Sequence, residues 1–222
     1  MPAGIPPKGV AAEPRFFPLP AGSMLWTVAT TTSSTPFREA PTEPEMQGAR
    51  WGGRFDPTPD CPYPYCYAAL DDLTALCEVL LRDVRMDAPP RYLPRQAVAG
   101  RALAVLETVR ELWLVSLLDG PDLAAARQDA WLVHAEARDF PRTQLWAHWL
   151  RDSSAPDGAA PAGIVWPSRR QPSGRAVLLF GDRCADGVIR SPFGERRLDD
   201  EAGQAWVNRR LGQLRTRIAG RV

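Results

Sequence analysis

The stretch from Tyr67 to Glu78, Tyr-Ala-Ala-Leu-Asp-Asp-Leu-Thr-Ala-Leu-Cys-Glu, predicts a strand end, a turn and a helix in direct succession. Asp71 or Asp72 can cap the helix by accepting hydrogen bonds from its free backbone N–H groups. The i, i+3, i+4, i+7 spacing of Leu73, Leu76, Cys77 and Leu80 predicts a buried apolar stripe on this helix. Tyr67 then lies at the end of the strand and Glu78 two turns into the helix, so a ring and a carboxylate on adjacent rigid elements can hold a flat, cationic ligand.

The other predicted elements surround this unit in an irregular order with long loops. Strands are predicted at residues 24–28, 65–69, 112–118, 163–167 and 176–180. Helices are predicted from Pro121, over residues 141–151, and along a last apolar stripe of Val207, Leu211, Leu214 and Ile218. Residues 96–110 suit a helix or a strand. We therefore expect an α+β domain with a central mixed sheet flanked by helices, and not a doubly wound sheet.

The chain has 222 residues, enough for one well-packed domain. Residues 1–21 are rich in proline, which is excluded from helix interiors and central strands. We expect this segment to be a tail that is extended, disordered or draped over a domain formed by residues 22–222. If the tail is dispensable, truncation before Gly22 leaves the melting temperature unchanged.

Composition and charge argue against several functional classes. The net charge of +1 gives no strong field for a membrane or a nucleic acid. Residues 161–222 are basic, but they carry no known nucleic-acid reader motif, so direct nucleic-acid binding is not expected. The apolar run at 112–118 is too short to cross a bilayer. Four cysteines and two histidines fit no zinc pattern and no disulfide framework, so we expect no metal and a reducing cytoplasm.

Two further segments place side chains that suit an anionic or flat ligand. In Gly52-Gly53-Arg54-Phe55 an arginine follows two glycines, which allow close approach of the backbone to a ligand, although a turn with an exposed arginine fits as well. Ser168 follows a predicted strand, where a serine ordinarily forms a turn. Glu78 points away from the apolar stripe of its helix, so periodicity alone places it on a solvated face.

No familiar catalytic motif accounts for these residues. The sequence lacks the glycine patterns of dinucleotide-binding folds and P-loops, and it lacks the nucleophile elbow of the hydrolase folds. A Ser-His-Asp triad with His134 or His148 stays open but has no supporting pattern.

In order and spacing these segments resemble the RES-domain family, which is named for an arginine, a glutamate and a serine. The resemblance covers roughly residues 24–183. It rests on Leu25-Trp26, Arg50-Trp-Gly-Gly-Arg-Phe55, Tyr67-Ala-Ala, Thr74-Ala-Leu-Cys-Glu78, Trp146-Ala147, Gly163-Ile-Val-Trp-Pro-Ser-Arg169 and Ala176-Val-Leu-Leu-Phe180. It implies a fold similar to ADP-ribosyltransferases and a toxin that consumes NAD and is blocked by an Xre-type antitoxin protein.

Carried over by position, the resemblance implies catalytic roles for Arg54, Glu78 and Ser168. Tyr67 would be a supporting aromatic that stacks on the nicotinamide ring, and Arg50 and Arg169 would also bind NAD. No metal is implied.

Three functions are open at this point. The chain is expected to cleave the nicotinamide–ribose bond with water or phosphate as acceptor, as an NAD glycohydrolase or phosphorylase. Alternatively it is an ADP-ribosyltransferase that modifies a protein. A third alternative is a weak or inactive NAD-binding module, because many members of the family carry an arginine where this chain has Thr27. In that case Thr27→Arg should raise the affinity for NAD.

Overall fold

The computed structural model describes residues 4–31, 35–41, 52–82, 84–87, 90–184 and 187–220. Within these residues a nine-stranded mixed sheet has the order β1-β6-β7-β8-β3-β2-β5-β10, with β9 also paired to β5. Only β6 and β7 are parallel neighbours in this sheet. The strands are β1 Phe16–Leu19, β2 Met24–Thr30, β3 Tyr65–Ala69, β4 Arg91–Leu93, β5 Arg101–Thr108, β6 Leu112–Ser116, β7 Gly163–Pro167, β8 Arg175–Phe180, β9 Ile189–Arg190, β10 Arg196–Arg197 and β11 Thr216–Ile218.

Five α-helices flank the sheet in the described part of the chain. They are α1 Asp72–Leu80, α2 Gly120–Ala125, α3 Trp131–His134, α4 Phe140–Arg151 and α5 Glu201–Gly212. Short 3₁₀ turns occur at Arg95–Ala97, Ala137–Asp139 and Gly181–Arg183. The predicted α+β class with a central mixed sheet is confirmed. None of the helices in the described ranges is long and apolar enough to span a bilayer.

The two faces of the sheet are separated by the alternation of side chains along each strand. One face packs against two groups of helices: β7 and β8 meet α3 and α4, whereas β2 and β5 meet α1 and α5. The opposite face carries a separate cluster that includes Leu25, Leu114, Val165 and Leu179. The strand β3 lies between the two groups of helices, so the end of β3 and the start of α1 face the boundary between them.

The helix α1 forms where the sequence predicts it. Asp71 caps it by accepting a hydrogen bond of 2.8 Å from the backbone N–H of Thr74. The predicted stripe is buried, and Cys77 packs as a small apolar core residue. Asp72 in the first turn forms an ion pair with Arg210 of α5, which ties the two helices together.

The C-terminal helix is shorter than its apolar stripe predicts. It ends at Gly212, and Arg215 then adopts a left-handed conformation with φ of 49°. The chain turns there, and β11 pairs in parallel with β4, so Ile218 is buried in a small second sheet and not on the helix. The segment 96–110, which suited a helix or a strand, forms β5.

The N-terminal segment contributes to the sheet. β1 pairs with the edge of β6, and Leu19 within it is 2% exposed. Upstream, the indole N–H of Trp146 donates to the carbonyl of Gly4 at 2.8 Å, and that of Trp149 donates to the carbonyl of Val10 at 2.8 Å. The segment is therefore extended and packed on α4, and the sheet begins before the predicted boundary at Gly22.

These contacts change the expectation for truncation. Deleting residues 1–21 should lower the melting temperature, because it exposes the edge of β6 and removes the buried Leu19. Burial of a leucine contributes about 1.5–3 kcal/mol, and about 1 kcal/mol shifts the melting temperature of a chain of this size by roughly 2–4 °C. Thermal unfolding of the deletion beside a control lacking only residues 1–3 measures the effect. Equal melting temperatures would show that the segment is dispensable.

Candidate functional site

Ser168 and Glu78, ninety positions apart, are joined by a hydrogen bond. The hydroxyl of Ser168 donates to Oε1 of Glu78 at 2.6 Å. The same hydroxyl oxygen accepts from the backbone N–H groups of Arg170 at 3.3 Å and Gln171 at 3.2 Å. Ser168 is 1% exposed. Its hydroxyl therefore orients the Glu78 carboxylate and is not paired with a histidine, so the structure does not support a Ser-His-Asp triad.

The turn after β7 reaches α1 because its residues fit closely against the helix. A Cβ atom at Gly174 would overlap the Thr74 hydroxyl, so only glycine allows this approach. The guanidinium group of Arg170 donates to the carbonyls of Leu81 at 3.0 Å and Val84 at 2.8 Å, just beyond the end of α1. The turn thus holds both Glu78 and the helix that carries it.

Glu78 lines a narrow cleft between α1 and the sheet. The cleft has an empty volume of about 230 Å³ and is lined by Trp26, Val28, Tyr67, Ala68, Ala75, Glu78, Val79 and Ala176. Glu78 itself is half-buried. The helical periodicity placed it on a solvated face, and this was wrong because the turn at residue 168 covers part of that face.

Tyr67 presents its ring to this cleft while its hydroxyl is anchored behind it. The hydroxyl donates to Oδ1 of Asp56 at 2.7 Å and accepts from the backbone N–H of Phe55 at 3.1 Å. Burial, together with the charge of Asp56 and the hydrogen bond to it, raises the pKa of Tyr67, so the hydroxyl stays protonated. The ring also makes an edge contact with Trp166 at a centroid distance of 6.0 Å.

The residues 52–56, here called the arginine loop, are fixed through their backbone. Oδ2 of Asp56 accepts from the N–H of Gly53 at 2.7 Å. From α4, Thr143 donates to the carbonyl of Arg54, and Gln144 donates to the carbonyl of Gly53 at 3.1 Å. A Cβ atom at Gly53 would overlap the Asp56 carboxylate and the Tyr67 hydroxyl, which explains the glycine there.

The side chain of Arg54 is the part of the loop left without hydrogen bonds in the described structure. Its Nε is buried and has no partner, while its guanidinium carbon lies 5.9 Å from the Phe55 ring centre and 5.8 Å from that of Phe140. Burial lowers the pKa of Arg54, and the nearby charge of Glu78 acts in the opposite direction. A buried, unpartnered donor is costly, so it points to a ligand that supplies the acceptor.

Further cations surround Arg54. The charges of Arg82 and Arg169 both lower the pKa of Arg54. The pKa of His134 is lowered mainly by burial and further by the charges of Arg54 and Arg169. Arg82 also donates to the carbonyl of Gly52 and lies 5.3 Å from the ring centre of Phe140. Arg169 is exposed. The group is suited to an anion such as a diphosphate.

Arg50, predicted to bind NAD, lies outside the described residues. Trp166 is fully buried and packs edge-on against Phe55 at a centroid distance of 5.0 Å, so it supports the site from the core.

Thr27 lies on the other face of β2 from the cleft. Trp26 and Val28 line the cleft, whereas Thr27 is 4% exposed and its hydroxyl donates to the carbonyl of Tyr67 at 2.8 Å. An arginine at this position would place its charge in the core and not in the site. Thr27→Arg is therefore not expected to raise ligand affinity, contrary to the prediction from the sequence.

We instead expect Thr27→Arg to unfold the chain or lower its melting temperature by several degrees, because a buried, unpaired charge costs several kcal/mol. Thr27→Val, which keeps the shape and removes the hydroxyl, should cost only about 1 kcal/mol. Thermal unfolding of both variants measures this. A folded Thr27→Arg variant with higher affinity for NAD than the wild type would contradict the geometry.

Some residues of the site carry no sequence signal of their own. Asp56 directly follows the arginine-containing segment, but its partner Tyr67 is eleven residues away. Arg82 lies four residues after Glu78, a spacing that hints at a shared side of the chain. Thr143 and Gln144 interrupt the apolar side of α4, and both are buried; polar residues on the apolar side of a helix are the sequence signal that could have indicated a buried partner.

Other parts of the described structure do not match this arrangement. A depression with an empty volume of about 820 Å³ near the end of α5 is lined by Pro90, Asn208, Gly212, Arg215, Thr216 and Arg217, with no carboxylate and no aromatic side chain. Among the residues that the structure describes, no group of three or more His, Cys, Asp or Glu could hold a metal ion.

Comparison with solved structures gives a match in fold. A chain of the crystal structure of the M. tuberculosis MbcT–MbcA toxin–antitoxin complex superimposes with a TM-score of 0.55 at 13% sequence identity. The match covers 79% of this chain and 84% of that chain. A comparison with curated proteins gave no match.

The family comparison covers most of the chain. The RES domain matches residues 24–199, a span that includes the arginine loop, the Tyr67–Glu78 unit and Ser168. β1 lies before the matched span, and α5 and β11 lie after it. The chain belongs to the RES domain family.

Proposed function

We propose that this protein cleaves the bond between nicotinamide and ribose in NAD. The observation that carries the proposal is the convergence of a carboxylate fixed by Ser168, the ring of Tyr67, and the half-buried Arg54, whose buried Nε has no partner. Membership of the RES domain family supports an enzyme that acts on NAD.

One ring of the substrate would bind at the mouth of the cleft beside Glu78. The space of about 230 Å³ there includes open solvent, and the enclosed part of about 10 Å³ has room for a single water molecule. Tyr67 and Trp26 provide aromatic surface there, and Glu78 provides a negative charge. A flat pyridinium ring satisfies both features.

Arg54, Arg82 and Arg169 would then face the diphosphate. Arginine binds phosphate oxygens through two parallel N–H groups, and the Nε of Arg54 has no partner within the described protein. This arrangement holds the negative half of the substrate on the side of the arginine loop while its positive ring enters the cleft.

Cleavage of this bond needs no general acid from the protein. The C–N bond breaks with its electron pair moving to nicotinamide, which leaves as a neutral molecule. Positive charge develops on the ribose, and the carboxylate of Glu78 stabilises it, as carboxylates do in glycoside cleavage. Ser168 keeps that carboxylate in one orientation, so no reorganisation is needed as the charge develops.

The acceptor is proposed to be water or phosphate. Water attack gives ADP-ribose and a proton, and phosphate attack gives ADP-ribose 1″-phosphate. To test the proposal, purified protein is incubated with NAD with and without phosphate, and nicotinamide and the sugar product are quantified by chromatography. No release of nicotinamide under either condition would refute it.

Two further experiments separate the alternative functions. With radiolabelled NAD and a cell extract, label on a protein band would identify an ADP-ribosyltransferase. Calorimetric binding of NAD without turnover would identify an inactive binding module.

We also propose a protein antitoxin as partner and the cytoplasm as location. The structural neighbour comes from a toxin–antitoxin complex, and the family resemblance implies an antitoxin of the Xre type. Co-expression with the product of an adjacent gene, followed by co-purification and assay of nicotinamide release, tests this. A neighbouring protein that neither binds nor inhibits would remove it as a partner.

A further inference from the structure

Asp56 lies behind the site and has no part in the proposed bond cleavage. We infer that Asp56 is a positioning residue that holds the ring of Tyr67 and the backbone of the arginine loop in one fixed arrangement. Its effect on the reaction rate rests on the proposed function, whereas the anchoring itself does not.

Three donors converge on the Asp56 carboxylate. Oδ1 accepts from the Tyr67 hydroxyl at 2.7 Å, and Oδ2 accepts from the N–H of Gly53 at 2.7 Å and from the Tyr65 hydroxyl at 3.4 Å. Asp56 is 5% exposed. An ionised carboxylate can accept hydrogen bonds but cannot donate them, so it suits a position where every neighbour is a donor.

These bonds close a ring of contacts around Arg54. The N–H of Phe55 donates to the Tyr67 hydroxyl, and that hydroxyl donates to Asp56, which also holds the N–H of Gly53. The two amides that flank Arg54 in the chain are therefore fixed by one carboxylate, directly on one side and through Tyr67 on the other. The direction of the Arg54 side chain and the plane of the Tyr67 ring become coupled.

A purely structural role does not explain this group. Asp56 forms no ion pair with another described residue, and burial raises its pKa, an effect that its hydrogen bonds and the charge of Arg82 oppose. Burying a carboxylate without a direct ion pair is costly, and an apolar side chain would fill the same space more cheaply. What an apolar residue cannot supply is the alignment of Gly53 and Tyr67.

Amide hydrogen exchange tests the anchoring without any substrate. In Asp56→Ala the exchange rates of the Gly53 and Phe55 amides, resolved by NMR, should both rise at least about tenfold. In Tyr67→Phe only the Phe55 amide should lose protection. Protection of the Phe55 amide in Asp56→Ala equal to that of the wild type would overturn the inference, because Asp56 does not touch that amide itself.

Nicotinamide release tests the consequence for the reaction. Asp56→Ala should lower kcat/KM by about 10–100-fold, the range seen when supporting residues of a site are removed. Asp56→Asn should recover part of the loss, because its amide oxygen can still accept from Gly53. The double variant Asp56→Ala/Tyr67→Phe should be no slower than Asp56→Ala alone if both act through one contact. A fall of less than twofold in Asp56→Ala would overturn the positioning role.

A second buried carboxylate provides the matched control. Asp122 is 7% exposed and accepts from Ser116 and from the backbone N–H of Leu118, and neither contact involves the arginine loop. Asp122→Ala should lower the melting temperature as Asp56→Ala does, but leave exchange at Gly53 and Phe55 and the rate below the transition unchanged. Failure of the wild type to release nicotinamide would refute the proposed function, and the exchange rates would still decide the anchoring.

Discussion

Glu78→Gln should lower kcat for nicotinamide release by about 10²–10³-fold, which is the usual effect of removing one preorganised electrostatic contact to a transition state. Glutamine keeps an oxygen that can accept the hydrogen bond from Ser168, so the side chain stays in place and only its charge is lost. KM should change much less than kcat, because the positive charge that Glu78 stabilises develops on the ribose during bond cleavage.

The matched control for this variant is Glu111→Gln. Glu111 is an exposed carboxylate in the turn between β5 and β6, and it does not line the cleft. It should release nicotinamide at the wild-type rate. Equal rates for Glu78→Gln and the wild type would remove Glu78 from the mechanism, even if NAD cleavage itself were confirmed.

Ser168→Ala should fall between these two variants. It leaves the Glu78 charge but removes its hydroxyl partner, and loss of such a supporting contact costs about 10–100-fold. If the double variant Glu78→Gln/Ser168→Ala has the same rate as Glu78→Gln alone, Ser168 acts through the carboxylate. A larger loss in Ser168→Ala than in Glu78→Gln would instead require a direct contact with the substrate.

The sequence predicted those parts of the site that depend on local pattern. β3, β7 and the capped helix α1 occur where alternation, periodicity and the Asp71 cap place them. The order of Arg54, Glu78 and Ser168 identified the family, but it gave no geometry. Their convergence follows from β3 and β7 both pairing with β8, and pairing between distant strands has no signature within any one segment.

The misread parts depend on long-range contacts. The environment of Glu78 depends on a turn ninety residues later in the chain. The last helix ends early because β11 pairs with β4. The family pattern predicts a missing NAD-binding cation at residue 27, but the pleat of β2 turns that side chain toward the core. The prolines before Gly22 predict no strand there, but β1 forms because Pro18 is tolerated in an edge strand.

Arg54→Met should reduce nicotinamide release by about 10²-fold or more while the melting temperature stays the same or rises. The Arg54 side chain is half-buried, its buried Nε has no partner, and burial lowers its pKa, so in the free protein its charge is held at a cost in stability. Replacing such a group by an apolar side chain of similar length is commonly neutral or stabilising. Activity and stability would then move in opposite directions, which is typical of a residue kept for ligand binding.

Arg151→Met provides the opposite case in the same chain. Arg151 is also buried, but its guanidinium group pairs with Asp182 and lies 4.3 Å from the ring centre of Tyr63 and 4.8 Å from that of Phe180. Its loss should cost about 2 kcal/mol, or roughly 4–8 °C in melting temperature, with little change in rate below the transition. If Arg54→Met were destabilised as strongly as Arg151→Met and retained its activity, Arg54 would be a structural residue and the proposed binding of the diphosphate would fail.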